Sequence, residues 1–98
     1  MLRKFYVYIL KCSDNSYYVG ITSNLDNRLD IHQDGKNEDC YTYDKRPVAL
    51  KHFEEYKYVE DAINREKQLK GWSRKKKEVL IALNYEKLIE YSKRTKES

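Results

Sequence analysis

Apolar positions along the chain fall into strand-length runs near the start and helix-spaced stripes near the end. "KFYVYILK" (4–11) is apolar on both faces a strand would present, as expected of a central strand covered on two sides. "SDNS" (13–16) is a turn cluster, and "YYVGIT" (17–22) returns as the second strand of a hairpin. After Pro47, "VALKHFEEY" (48–56) alternates weakly and carries charge, which suits an edge strand. Ser23, with Asp26 three residues on, predicts a capped helix over 24–34, with Leu25, Leu29 and His32 on one face and Gly35 as its stop. "KNEDCYTYDKRP" (36–47) has no period and reads as a loop.

A second helix over 58–70 places Val59, Ala62, Ile63, Leu69 and Lys70 on one stripe and stops at Gly71. Ser73 caps a third over 74–84, with Val79, Leu80 and Leu83 inward. From Tyr85, Leu88, Ile89 and Tyr91 allow a further short helix before a frayed "RTKES". The order ββαβαα, opening on a hairpin, predicts an α+β domain whose sheet is at least partly antiparallel.

Hairpin register decides what the two strands can do together. A two- or four-residue loop at Asp14-Asn15 sends Tyr8 and Tyr18 to opposite faces. A three- or five-residue loop, or a bulge near Gly20, puts both on one face, and this second case is expected. Gly20 is a misfit inside a strand, where a missing side chain marks a bulge or a close approach.

Composition narrows the picture. The chain has 98 residues, enough for one small domain. The apolar run in "MLRKFYVYILK" is too short to span a membrane and lacks a cleavage site, so a soluble, cytoplasmic protein is expected. Cys12 and Cys40 show no metal-ligand spacing and read as reduced thiols. Residues 1–64 carry 9 Lys/Arg against 11 Asp/Glu, while residues 65–98 carry 11 against 5. The basic end suggests an anionic partner such as nucleic acid.

Three further features resist a purely structural reading. Glu66 falls in the middle of the second helix's apolar stripe, and a buried carboxylate needs an arginine, a backbone donor or a metal ion beside it. Arg28 and His32 are an i, i+4 pair, and a guanidinium there either snorkels at the core edge or aims a planar fork at a phosphate. "SRKKKE" (73–78) crowds Arg74, Lys75, Lys76 and Lys77 into a first helical turn, where the macrodipole disfavours cations. That placement makes sense facing a polyanion; the plain alternative is a solvated surface.

The ordered set "YVY" (6–8), "YVG" (18–20), Arg28 and Glu66 resembles the GIY-YIG nuclease superfamily. Its small stand-alone members, similar to the N-terminal endonuclease domain of excinuclease ABC, are the best match, and "YVYILKC", "KRPVAL" and "NREKQLKGWSRKKKEVLI" support this. The resemblance covers residues 4–83 and implies a nuclease domain over 1–84, with 85–98 as a helical or frayed basic tail. It implies a three-stranded antiparallel sheet flanked by helices and metal-dependent hydrolysis of DNA phosphodiesters. By position it implies catalytic roles for Tyr8, Tyr18, Arg28, His32 and Glu66, a structural role for Gly20, and Mg²⁺ or Mn²⁺ on Glu66. Tyr8 is then the expected general base and Tyr18 the positioning group, with the roles open to exchange. Tyr6 stands where the family's first motif has glycine, Ile21 where a lysine is frequent, and no asparagine follows Glu66 in the manner of some members. DNA, branched or single-stranded, is the implied partner, contacted by Arg74, Lys75, Lys76 and Lys77, with specificity low or borrowed from a partner protein. The alternatives are a nucleic-acid-binding module of the same fold without turnover, and an interaction domain in which Glu66 and Arg28 form a structural salt bridge.

Overall fold

The computed structural model describes residues 3–34 and 43–96; Gly35, Cys40 and the first part of the expected loop lie outside the described residues. In chain order the elements are β1 (Phe5–Lys11), β2 (Tyr17–Thr22), α1 (Leu25–Asp34), a 3₁₀ turn (Tyr43–Lys45), β3 (Ala49–Tyr56), α2 (Val59–Lys70), α3 (Arg74–Leu83) and α4 (Tyr85–Lys96). The sheet runs β2-β1-β3 and both pairings are antiparallel, so β1 is central and β3 an edge. The architecture is α+β, a three-stranded antiparallel sheet flanked by helices. Among the described residues no helix is long and apolar enough to cross a membrane.

The hairpin closes with Lys11 opposite Tyr17, leaving the five residues Cys12–Ser16 as its loop. Asn15 takes the left-handed conformation there, at φ 72°, and its N–H donates to the Cys12 carbonyl at 2.9 Å. Asp14 Oδ1 accepts from the Ser16 backbone and hydroxyl, at 3.0 and 2.6 Å. This register pairs Tyr8 with Gly20 and Leu10 with Tyr18, so all four side-chain positions share one face, with no bulge at Gly20. The bulge lies on the other side of β1, where Ile9 pairs with His52 but Leu10 with Leu50. Lys51 is the extra residue, and it lets both Leu50 and Phe53 face the Tyr8 side while His52, Glu54 and Tyr56 face away.

Each face of the sheet has its own core. Tyr8, Leu10, Cys12, Leu25, Val48 and Phe53 pack on one side, with Leu29 of α1 and Tyr91 of α4 against them. Val7, Ile9 and Val19 pack with Ala62 and Leu69 of α2 on the other, covered by Trp72, Leu80 and Ile81.

Several local expectations need correction. Asn24, not Ser23, caps α1: its Oδ1 accepts from Asn27 N at 3.0 Å. Val59 and Ile63 are exposed, because α2 turns the stripe Ala62, Arg65, Glu66, Leu69 toward the sheet. Gly71 does end α2, but with right-handed backbone, φ −83°, donating to the Gln68 carbonyl. Ser73 caps α3 as expected, its Oγ accepting from Lys76 N at 3.2 Å, yet Val79 and Leu83 point outward at 53% and 78% exposure. The half-buried positions are Lys77, Leu80, Ile81 and Asn84. The tail is a full helix, α4, whose Tyr91 stacks on Phe53 at 5.2 Å between centroids and donates to Asp26 Oδ1.

Arg65 owes its inward position to Glu54. Arg65 Nε and Nη2 donate to the two Glu54 oxygens at 2.9 and 3.1 Å, Tyr56 Oη donates at 2.5 Å, and His52 Nε2 lies 2.7 Å from Oε2. Burial alone would raise the Glu54 carboxyl, but hydrogen bonds from His52, Arg65 and Tyr56 outweigh it and hold the group down to about 2. An ionised carboxylate only accepts, so His52 Nε2 is the donor there, and His52 Nδ1 is left buried without a partner.

Two outcomes follow for stability. A methyl at position 20 would stand 2.5 Å from Tyr8 Cζ and 3.0 Å from Tyr18 Cε1. Gly20→Ala is therefore expected to cost about 1–3 kcal/mol in urea unfolding, as overpacking does. For Glu54 the folded pKa lies below the ordinary 4.5, so its contribution is whole above 4.5 and is lost as pH falls toward about 2. Acid titration of stability should show a loss of roughly 3 kcal/mol across that window, missing in Glu54→Gln.

Candidate active site

Tyr8, Tyr18 and His32 converge on the α1 face of the sheet. Register sets Tyr8 and Tyr18 diagonally across the β1–β2 ladder, with ring centroids 6.2 Å apart. Gly20, directly opposite Tyr8, leaves the room its phenol occupies. Leu25 and Leu29 seat α1 on this core, which brings His32, one turn beyond Leu29, over both rings at 5.9 and 5.2 Å between centroids. Tyr8 Oη and His32 Nε2 share a buried hydrogen bond of 3.1 Å. Tyr8 and His32 are each 1% exposed, whereas Tyr18 is half-buried. Burial, and after it the charge of Arg28, pushes His32 below its ordinary 6.5 and favours the neutral ring. Arg28 itself is exposed, one turn before His32 on α1.

Glu66 arrives from the opposite face. It sits on α2, whose Ala62 and Leu69 pack with Val7, Ile9 and Val19. Its side chain is 17% exposed, and its ion pair is with Lys70 Nζ at 3.5 Å, one turn on. An i, i+4 pair with a cation 55% exposed contributes only about 0.5 kcal/mol. Glu66 and Arg28 form no ion pair among the described residues, which removes the structural salt bridge expected between them. The structure thus joins Tyr8, Tyr18, His32 and Gly20 in one cluster with Arg28 at its margin, and brings Glu66 in on a separate helix.

The basic run sits at the start of α3, where Ser73 fixes the first turn. Lys75 and Lys76 are exposed and Lys77 half-buried; Lys76 Nζ lies over the Trp72 ring at 4.4 Å. Arg74 is engaged within the protein: Nη1 donates to the Asn15 carbonyl and the guanidinium lies 4.6 Å over Tyr17. Sequence reasoning misses Arg65 and Glu54. The signal is present, since Arg65 stands three residues after Ala62 and four before Leu69, on the same inward stripe as Glu66.

Comparison with known proteins agrees with this geometry. A family model described as the GIY-YIG catalytic domain matches residues 4–79. A UPF0213 protein of Syntrophus aciditrophicus is 42% identical over 89% of this chain and 100% of its own length. A UPF0213 protein of Staphylococcus haemolyticus is 41% identical over 82% of this chain and 96% of its own. The solution NMR structure of UPF0213 protein BH0048 from Bacillus halodurans is similar at TM-score 0.54 and 39% identity, covering 82% of this chain and 84% of that one. The solution NMR structure of EF2693 from E. faecalis is similar at TM-score 0.59 and 31% identity, covering 85% and 88%. With the fold, the tyrosine pair and the helix arginine and histidine in their matching places, the chain belongs to the GIY-YIG family and groups with its small UPF0213 members.

Proposed function

We propose that this domain is an endonuclease that hydrolyses DNA phosphodiester bonds with the help of a divalent metal. The observation that carries the reading is the buried Tyr8–His32 hydrogen bond, set beside Tyr18 and one helical turn from an exposed arginine. A phenol has a reference pKa of about 10 and is a weak base alone. A neutral His32 Nε2 can take its proton, so the Tyr8 oxygen gains basic character toward a water. Tyr18, the more accessible ring, orients that water or the phosphate. Arg28 offers two parallel donors to the phosphate oxygens, where negative charge builds in the transition state. Lys75, Lys76 and Lys77 lie where a DNA backbone would run.

The donor set suits a hydrated magnesium or manganese ion. Glu66 offers one carboxylate whose ion-pair partner among the described residues is a single, mostly exposed lysine, and Mg²⁺ keeps several waters beside one or two carboxylates. When bound, such an ion polarises the scissile phosphate and stabilises the leaving oxygen. A phosphate shared by Glu66 and the tyrosine face would lie around the free edge of β2.

A second reading is a nucleic-acid-binding module that keeps the fold without turnover. Two observations favour it: Tyr8 is 1% exposed, and among the described residues no group of three or more His, Cys, Asp or Glu side chains is arranged to hold a metal.

The two readings separate in one assay. Branched, flapped, single-stranded and duplex DNA are incubated with the protein in Mg²⁺ or Mn²⁺ and in chelator, beside Glu66→Ala. Cleavage that disappears in Glu66→Ala and in chelator is the expected result; binding with a steep salt dependence and no cleavage supports the module. Cleavage should also fall as pH drops below 6.5, because His32 then protonates through its lowered pKa and no longer accepts from Tyr8. His32→Gln should be slower and lack that acid limb in a pH–rate profile.

A further inference from the structure

Arg74 is held unlike the lysines that follow it. Its Nη1 donates to the carbonyl of Asn15, 59 residues away in the hairpin loop, its guanidinium covers Tyr17 at 4.6 Å, and its Nε is 3.9 Å from Glu78. Lys76 touches only the Trp72 ring, and exposed Lys75 has no ion pair or ring contact among the described residues. We propose that Arg74 is a positioning residue that ties the basic turn of α3 to the hairpin carrying Tyr18, and is not a phosphate ligand. Its catalytic part rests on the nuclease reading above.

The chemistry favours this division of labour. Turning the guanidinium onto a phosphate would break the Asn15 bond and unstack Tyr17 together. It would also strip a partner from the carbonyl of a residue held at φ 72°. A lysine serves a phosphate as a point charge, whereas stacking on a ring while donating sideways requires the planar guanidinium. Tyr17 immediately precedes Tyr18, and successive side chains of a strand point to opposite faces. Tyr17 is clamped against the α3 side, packed on the Val7–Ile9–Val19 core. The pleat then turns Tyr18 toward His32, 5.2 Å away between centroids. A backbone gripped by Lys75, Lys76 and Lys77 therefore loads the same helix that holds Tyr18 in register.

The test compares Arg74→Ala, Arg74→Lys, Tyr17→Leu and Lys75→Ala in the full chain, using a fluorescent oligonucleotide and NMR of the free protein. In the free protein, Arg74→Ala, Arg74→Lys and Tyr17→Leu should each shift the Tyr18 and His32 resonances, while Lys75→Ala leaves them in place. In binding, Lys75→Ala should lower the slope of log affinity against log salt by about one, and both Arg74 variants should keep the wild-type slope. In cleavage at saturating DNA, both Arg74 variants should fall about tenfold, as misplacement of a reacting group does. The proposal is overturned if Arg74→Ala lowers the salt slope by about one and Arg74→Lys restores it, or if the Tyr18 and His32 signals do not move in either variant. Should wild type bind DNA without cleaving it, the nuclease reading fails by itself; the salt slopes and resonances still decide the positioning role. Arg74→Lys and Tyr17→Leu keep the test open if Arg74→Ala does not fold.

Discussion

The pairing of Lys11 with Tyr17, and hence of Tyr8 with Gly20, is the constraint on which the rest of this structure depends. Five loop residues put the even positions of both strands on one face. A loop one residue shorter would slip the register and send Tyr18 to the α2 side, where Val19 now packs. Because Tyr8 and Gly20 stand directly opposite, the phenol can lie across the neighbouring strand instead of being pushed off it. Helix α1 then completes the cluster, since Leu25 and Leu29 in the core leave His32 no direction but over the two rings. Turn chemistry, one missing side chain and one helix phase therefore act in series to make the Tyr8–His32 hydrogen bond.

The rotation of α2 is the second constraint, and a polar bond sets it. Apolar content would favour Val59 and Ile63 inward, yet both are exposed. Arg65 turns in, held at both oxygens of Glu54 and stacked on Trp72 with 5.0 Å between the guanidinium carbon and the ring centroid. Two charge-assisted bonds to a half-buried carboxylate outweigh the modest gain from covering two more aliphatic side chains. Glu66 is carried to its half-buried position by the same turn of the helix.

Much of this is legible in the chain. Strands, helices, the central place of "KFYVYILK" and the shared face of Tyr8 and Tyr18 follow from period and loop length, because both are backbone properties. Helix phase is less legible. Apolar residues alone define stripes on α2 and α3 that overlook Arg65 and turn Val79 and Leu83 inward, when both point outward. A β-bulge at Lys51 shifts the alternation of β3, and nothing in "VALKHFEEY" marks that position. The Ser23 cap fails for a simpler reason: Asn24 is an equally good cap and stands one residue closer to the helix.

Charge counting illustrates the same point at the level of function. The chain beyond residue 64 carries 11 Lys/Arg, which suggests a broad field for a polyanion. Placed in the fold, those cations do different work. Arg65 completes a carboxylate network, Lys70 pairs with Glu66, Lys87 lies 5.4 Å over Phe53, and Arg74 grips the hairpin. Guanidinium groups, which are planar and weakly hydrated, take the stacked and buried positions, while ammonium groups hold the solvent side. The residues left facing outward at the start of α3 are lysines, flexible point charges suited to following a backbone without reading its sequence. The basic segment therefore combines two functions in four residues: an arginine that fixes the scaffold and lysines that present charge from it.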